Sequence, residues 1–312
     1  MKFGVSLGNG GPFATPAGIV AIARRADELG FDSVWASDHV VIPSRIDDEK
    51  YPYGPPGTFN PDAMQNYFEP ITTLTYVAGA TSRVKVGTTV LVLPQRQPLV
   101  VAKQWATLDA LSGGRTILGI GAGWMREEFD ALGVDTFDRR GKATDEAIRV
   151  YREIWADKAD KSFDGEVYRF PALRARPIPA QPGGPPIWVG GHGRRSIRRA
   201  AQFGDGWHLV RGSLEEVRQG TAVLHELCGQ YGRDPSSLVV SNVLSVYPPG
   251  GGPTEPKDFD LTGGAAEQAE RIRRYADAGC EYLVIRCYPA ETLSGTLESL
   301  ERFAREVRPL LD

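Results

Sequence analysis

Gly30-Phe31-Asp32-Ser33-Val34-Trp35-Ala36-Ser37-Asp38-His39 is the stretch on which the fold is read. A glycine stops what precedes it, four strand formers follow at 33–36, and the run ends on a hydroxyl, a carboxylate and an imidazole. Upstream, Ile19, Ile22, Ala23, Ala26 and Leu29 fall at helical spacing, with Pro16 suited to the first turn, so 16–29 reads as a helix. Before it, 3–7 is a short apolar strand pattern. Strand, helix and strand within forty residues make a βαβ unit.

The same alternation runs to the C-terminus. Helix 70–81 precedes strand 84–92, helix 99–111 precedes strand 116–120, and helical pieces follow at 126–132 and 139–156. Four more pairs are 187–189 with 196–203, 206–210 with 214–231, 238–246 with 265–278, and 282–285 with 293–310. Eight strand–helix units favour a closed parallel barrel over an open doubly wound sheet. The expected fold class is α/β, a single (β/α)8 TIM barrel over 1–312, with insertions near 43–66, 158–186 and 248–264. In the second insertion, Phe163-Asp164-Gly165-Glu166-Val167-Tyr168-Arg169-Phe170 reads as a hairpin. In the first, Tyr51, Tyr53, Phe59, Tyr67 and Phe68 point to a folded loop facing substrate.

Composition narrows the function classes. A net charge of −3 without blocks of like charge gives no footing for nucleic acid or a membrane surface. Cys228, Cys280 and Cys287 are odd in number and match no metal-ligand spacing, so neither disulfides nor structural zinc is expected. No apolar run approaches the roughly 18 residues of a membrane span. The chain enters a strand pattern at Phe3, which leaves no room for a signal peptide and leads to the expectation of a cytoplasmic protein.

Barrel enzymes gather their chemistry at the C-terminal ends of the strands. That rule selects Asn9, Asp38, His39, residues 89–93, residues 121–124, residues 190–193, His208, Asn242 and Arg286. Three of the four histidines, His39, His192 and His208, fall in this set, and His225 reads as a helix-surface residue. An imidazole beside a carboxylate suits proton transfer to a substrate oxygen, and Asp38 can also be read as a turn cap. His192 and His208 can likewise serve only to hydrogen-bond loops.

Gly119-Ile120-Gly121-Ala122-Gly123 has the wrong spacing for a dinucleotide fingerprint, so its glycines are read as letting backbone pass a flat ring. Gly190-Gly191-His192-Gly193-Arg194-Arg195-Ser196, between a strand and a helix, can be a phosphate turn or a plain connection. Arg194-Arg195 and Arg198-Arg199 fit a solvated helix face better than an anion site. A metal hydrolase would want ligands on the first strand, where Gly4-Val5-Ser6-Leu7-Gly8 has none, so no metal is expected.

These motifs together resemble the luciferase-like oxidoreductases. The resemblance is carried by 31–39, by Val86-Gly87-Thr88-Thr89-Val90-Leu91-Val92-Leu93-Pro94, by residues 103–115, by Leu118-Gly119-Ile120-Gly121-Ala122-Gly123-Trp124, and by Gly204-Asp205-Gly206-Trp207. The Ser37-Asp38-His39 form is similar to members that use the deazaflavin coenzyme F420. The resemblance implies a hydride transfer between the deazaflavin C5 and a small organic substrate, with an FMN-dependent monooxygenase as the alternative. It places catalysis on His39 and Asp38, with Asp38 orienting the imidazole or the ring. Cofactor contacts then fall on Asp38, His39, Thr88, Thr89, Val90, Ala122, Gly123, Gly190, Gly191, His192 and Gly193. Trp124, His208 and Arg286 are expected to line the substrate pocket. A non-proline cis peptide is implied at Thr89-Val90, and a homodimer is implied as the assembly. One departure stands out: F420-dependent sugar-phosphate dehydrogenases carry an acid where this chain has Trp124. Glu127 or Glu128 could replace it, although both suit a surface helix, and a tryptophan there suits a flatter, more apolar substrate.

Overall fold

A computed structural model describes residues 1–11, 14–47, 65–288 and 292–311. The first unit is β1 (Lys2–Ser6), α1 (Pro16–Glu28) and β2 (Ser33–Ala36), with β1 and β2 parallel and Val5 opposite Val34. α1 begins where the Thr15 side chain accepts the Gly18 N–H at 3.0 Å and Pro16 supplies a ready-made φ. Gly30, at φ 73°, ends it in the left-handed region that favours glycine. The Asp27 carboxylate accepts the N–H groups of Ser82, Arg83 and Val84, pinning the end of α1 to the chain entering the third strand.

The next units are α2 (Pro70–Ala80), β3 (Lys85–Thr88), β4 (Leu91–Val92), α3 (Pro98–Ser112) and β5 (Thr116–Gly121). The single strand expected over 84–92 is thus broken in two. The Thr89-Val90 peptide between the halves is cis, as the resemblance implied. Both halves pair with β5, Gly87 opposite Ile117 and Leu91 opposite Ile120.

After β5 come α4 (Arg126–Ala131), α5 (Arg140–Trp155), and the antiparallel pair β6 (Lys161–Asp164) and β7 (Arg169–Leu173), the hairpin expected from the sequence. Its turn is held by Glu146, whose carboxylate accepts three successive N–H groups, those of Glu166, Val167 and Tyr168. The remaining elements are β8 (Ile187–Gly190), α6 (Arg194–Phe203), β9 (Gly206–Val210), α7 (Leu214–Gln230), β10 (Val239–Val246), β11 (Asp260–Leu261), α8 (Ala265–Asp277), β12 (Tyr282–Cys287) and α9 (Leu293–Arg302). The segment 248–264, expected to be loop throughout, contains β11, which pairs parallel with the end of β10.

Eight staves, β1, β2, β3 with β4, β5, β8, β9, β10 and β12, pair in parallel around a ring that closes where β12 meets β1. This is the (β/α)8 barrel. The middle of its lumen is filled by side chains. Trp35 stacks on Trp188 and on His208, with centroids 5.2 and 5.3 Å apart. Ser33 takes the Trp35 indole N–H at 2.5 Å and bonds the Tyr282 hydroxyl at 2.6 Å. A filled lumen leaves the strand ends as the place for a site. A hollow of about 910 Å³ opens at the N-terminal end, beside Met1, Lys2, Trp188 and Tyr282, and contains none of the candidate site residues. Among the described residues no helix is long and apolar enough to cross a membrane.

Candidate active site

β2 delivers Asp38 and His39 to the C-terminal mouth, and the two part company there. The Asp38 side chain is completely buried, with both oxygens gripped by Arg96 at 2.7 Å and one also accepting the Val92 N–H at 2.8 Å. Burial pushes the Asp38 carboxyl up from the usual aspartate range, and the Arg96 cation and the Val92 N–H pull against it. Asp38 therefore clamps the chain after the cis peptide to β2. The expectation that it orients the imidazole directly is corrected, because neighbouring residues at a strand end point opposite ways.

Among the described residues, the carboxylate that meets His39 is Glu128. Its Oε2 lies 3.1 Å from His39 Nδ1, and its Oε1 accepts the N–H groups of Val40 at 2.7 Å and Val41 at 3.3 Å. Glu128 is 2% exposed, which overturns the surface-helix reading; Glu127 lies nearer the surface and accepts the Asp47 N–H. Burial works against its charge, yet the hydrogen bond and charge of His39 and the Val40 N–H help to outweigh it and hold the carboxyl below the usual glutamate range. A carboxylate only accepts, so His39 Nδ1 carries the hydrogen.

The Tyr67 ring stands edge-on to His39 with centroids 5.4 Å apart. Its hydroxyl bonds Ser37 Oγ at 2.6 Å, and burial pushes its pKa up to about 12. Asn9, at the end of β1, joins the group: its amide donates to Ser37 and Phe68 carbonyls and accepts from Ser37, all within 3.1 Å. Asn9 is thus spent on holding the β2 end and the 66–68 segment together. Asn242 is spent similarly on the backbone of Gly212.

The floor of the mouth is the cis Thr89-Val90 segment. Val90 fills the space beside two glycines, since a Cβ at Gly121 or at Gly190 would come within 2.7 Å of a Val90 methyl. The glycine at 121 therefore makes room for protein, not for a flat ring as expected. The buried Thr88 hydroxyl donates to the Gly119 carbonyl at 2.7 Å. The Thr89 hydroxyl sits 2.8 Å from His208 Nε2, and His208 Nδ1 is 2.6 Å from Ser241 Oγ. His208 has no exposed surface, and burial drops its pKa to about 3, so it is a neutral spacer under the floor. That corrects its expected place in the substrate pocket.

At the wall, Gly191 takes φ +120° and its N–H bonds the His208 carbonyl at 3.2 Å. His192 turns its ring sideways, with Nε2 3.0 Å from the Val210 carbonyl and Nδ1 3.0 Å from Glu216. Gly193 leads into α6 without a side-chain cap. The backbone N–H groups of Gly193, Arg194 and Arg195 have no hydrogen bond among the described residues. Such a helix start fits an anion such as a phosphate. Ala122, Gly123 and Trp124 are half-buried at the rim, and Arg286 is exposed across the mouth, 4.8 Å above the Tyr288 ring. Arg198 and Arg199 do not form a solvated face, because both pair with Asp145 on α5. His225 is exposed, as expected.

Sequence reasoning missed Arg96 and gave Glu128 no structural role. The signal for Glu128 was present: Met125, Glu128 and Phe129, all buried, share one helical face. The expected loop residues Tyr51, Tyr53 and Phe59 lie outside the described residues. Among the described residues no group of three His, Cys, Asp or Glu side chains is placed to hold a metal.

Direct comparison with known proteins gives the family. The luciferase-like monooxygenase family model matches residues 1–247, and the chain belongs to that family. An uncharacterised protein of Mycobacterium tuberculosis is 34% identical over 214 residues, 69% of this chain and 72% of its own. An F420-dependent glucose-6-phosphate dehydrogenase of Kineococcus radiotolerans is 29% identical over 95% of this chain and 93% of its own. The solved structure of a monooxygenase from Streptomyces bottropensis shares the fold, with a TM-score of 0.80, 22% identity and 99% of each chain covered. The protein is an enzyme of the oxidoreductase kind.

Proposed function

We propose that this protein is a coenzyme F420-dependent oxidoreductase acting on a small, largely apolar organic substrate. The observation that carries the reading is His39, held at the mouth through Nδ1 by a buried carboxylate. The F420 dependence of the Kineococcus relative, similar over nearly the whole chain, supports the choice of cofactor.

The residues present fit the group. The open N–H groups at the start of α6 would take its phosphate, the Thr89-Val90 floor would lie under its ring, and Ala122 and Gly123 would border its side chain. When bound, the deazaflavin would supply the two-electron half of the reaction, a hydride given or taken at C5. His39 handles the accompanying proton at Nε2, the nitrogen that Glu128 does not engage. Glu128 fixes the ring orientation and stabilises the imidazolium that forms when Nε2 gains a proton. Arg96 keeps Asp38 from competing for that role. Trp124 would border an apolar substrate.

The homodimer is proposed on the outer faces of α2 and α3. α2 carries no charged residue, and Tyr76, Val100 and Leu111 are exposed there.

A fluorescence titration with F420 and, separately, with FMN tests the cofactor. Saturable binding of F420 with little response to FMN is expected. Preference for FMN, followed by oxygen uptake with reduced flavin, would establish the monooxygenase alternative.

A further inference from the structure

Around the starts of α5 and α6 most arginines have a carboxylate partner: Arg126 has Asp138, Arg139 has Asp135, and Arg194 has Glu226. Arg198 and Arg199 share Asp145. Arg140 and Arg195 have no such partner among the described residues. Among the described residues the hydrogen-bond acceptors of the half-buried Arg140 guanidinium are neutral, the carbonyls of Gly123 at 3.0 Å and Phe137 at 2.9 Å, and the Phe137 ring lies 4.3 Å away. Burial lowers its pKa, Asp138 pulls back, and the charges of Arg126 and Arg195 lower it further. Arg195 is exposed, on the first turn of α6.

A partly desolvated cation that repels a second unpaired cation is an arrangement that an anion relieves. Arg140 is tied to the loop after β5, and Arg195 follows the turn after β8. Arg195 thus belongs to the helix turn whose N–H groups would hold the phosphate, and Arg140 is near enough for the two charges to act on each other.

Building on the F420 reading, we propose that Arg140 and Arg195 seat the carboxylates of an anionic tail that continues past the cofactor phosphate. Coenzyme F420 continues past its phosphate into a lactyl-oligoglutamyl tail, whereas FMN ends at the phosphate. Two guanidinium groups on separate elements match carboxylates repeated along a chain better than a single terminal group.

The test is a set of binding titrations at low and high salt, using F420 with its glutamate tail, the tail-less form ending at the lactyl phosphate, and FMN. The tailed form should bind about tenfold more tightly than the tail-less form at low salt, with the advantage shrinking at high salt. Arg195→Ala, a change at an exposed position, should remove about half of that advantage on a logarithmic scale. Adding Arg140→Met should bring the two forms within about twofold. Arg139→Ala removes the same charge from a residue already paired with Asp135 and should leave the ratio unchanged. An unchanged ratio in the double variant would overturn the proposal. Equal losses for tailed F420, tail-less F420 and FMN would also overturn it, since the pair would then serve the phosphate. Failure of the unaltered protein to bind either F420 form would remove the cofactor reading, and the seat with it.

Discussion

His39 follows the barrel strand β2 and His208 lies within β9, yet their surroundings give them opposite characters. At the wall of the mouth, His39 faces a buried carboxylate, so its Nδ1 holds a hydrogen and a negative charge lies beside its ring. Under the floor, His208 sits between two hydroxyls and against the Trp35 indole, where burial forbids the charge. A strand-end position alone does not make a histidine a proton carrier; the neighbouring charge does.

The largest effect that could break this contrast is at the wall. His39→Ala should lower turnover about a hundredfold to ten-thousandfold while leaving cofactor affinity within a few-fold. Turnover would be read as reoxidation of reduced F420 by a panel of small carbonyl and flat apolar acceptors, and equal losses in both quantities would make His39 a binding residue. Glu128→Gln keeps the shape and removes the charge, and should lower turnover about tenfold to a hundredfold, with affinity again preserved.

Arg96→Met should destabilise the fold by about 3–5 kcal/mol, because it leaves the Asp38 carboxylate buried without its cation. Urea unfolding reads this directly. A loss below about 1 kcal/mol would mean that Asp38 is not held as a buried ion pair. Gly190→Ala drives a methyl against Val90 and should cost about 1–3 kcal/mol in the same assay.

The smallest effect is a pH slope. Between its usual pKa of 6.5 and about 3, His208 binds a proton only in the unfolded chain. The unfolded state then holds more protons than the native state, so stability falls as pH drops, by up to about 1.4 kcal/mol per unit. Glu128, with its pKa lowered in the native state, adds to the loss in the same direction below the usual glutamate range. His208→Gln should flatten the slope between pH 6.5 and 4.5, as followed by urea midpoints.

The architecture was legible because strand and helix patterns alternate through eight units, and in the first of them Pro16 opens α1 and Gly30 closes it. The histidine at the mouth was legible from strand order. Its partner was not, because Arg126-Glu127-Glu128-Phe129 looks polar until Glu128 is set on the same face as Met125 and Phe129. Arg96 gave no local signal, since its partner is 58 residues away. The glycines at 121 and 190 suggested a ligand, whereas the space they leave is taken by Val90, a contact that depends on three strands meeting.

With only four histidines in the chain, nitrogen-15 NMR of the imidazole rings resolves the contrast most directly. His39 should show a hydrogen on Nδ1, and His208 should remain neutral throughout a titration down to pH 4.5, below the ordinary histidine range. A His39 ring bearing its single hydrogen on Nε2, or a His208 ring that gains a proton near its usual 6.5, would contradict the assignment of the two roles.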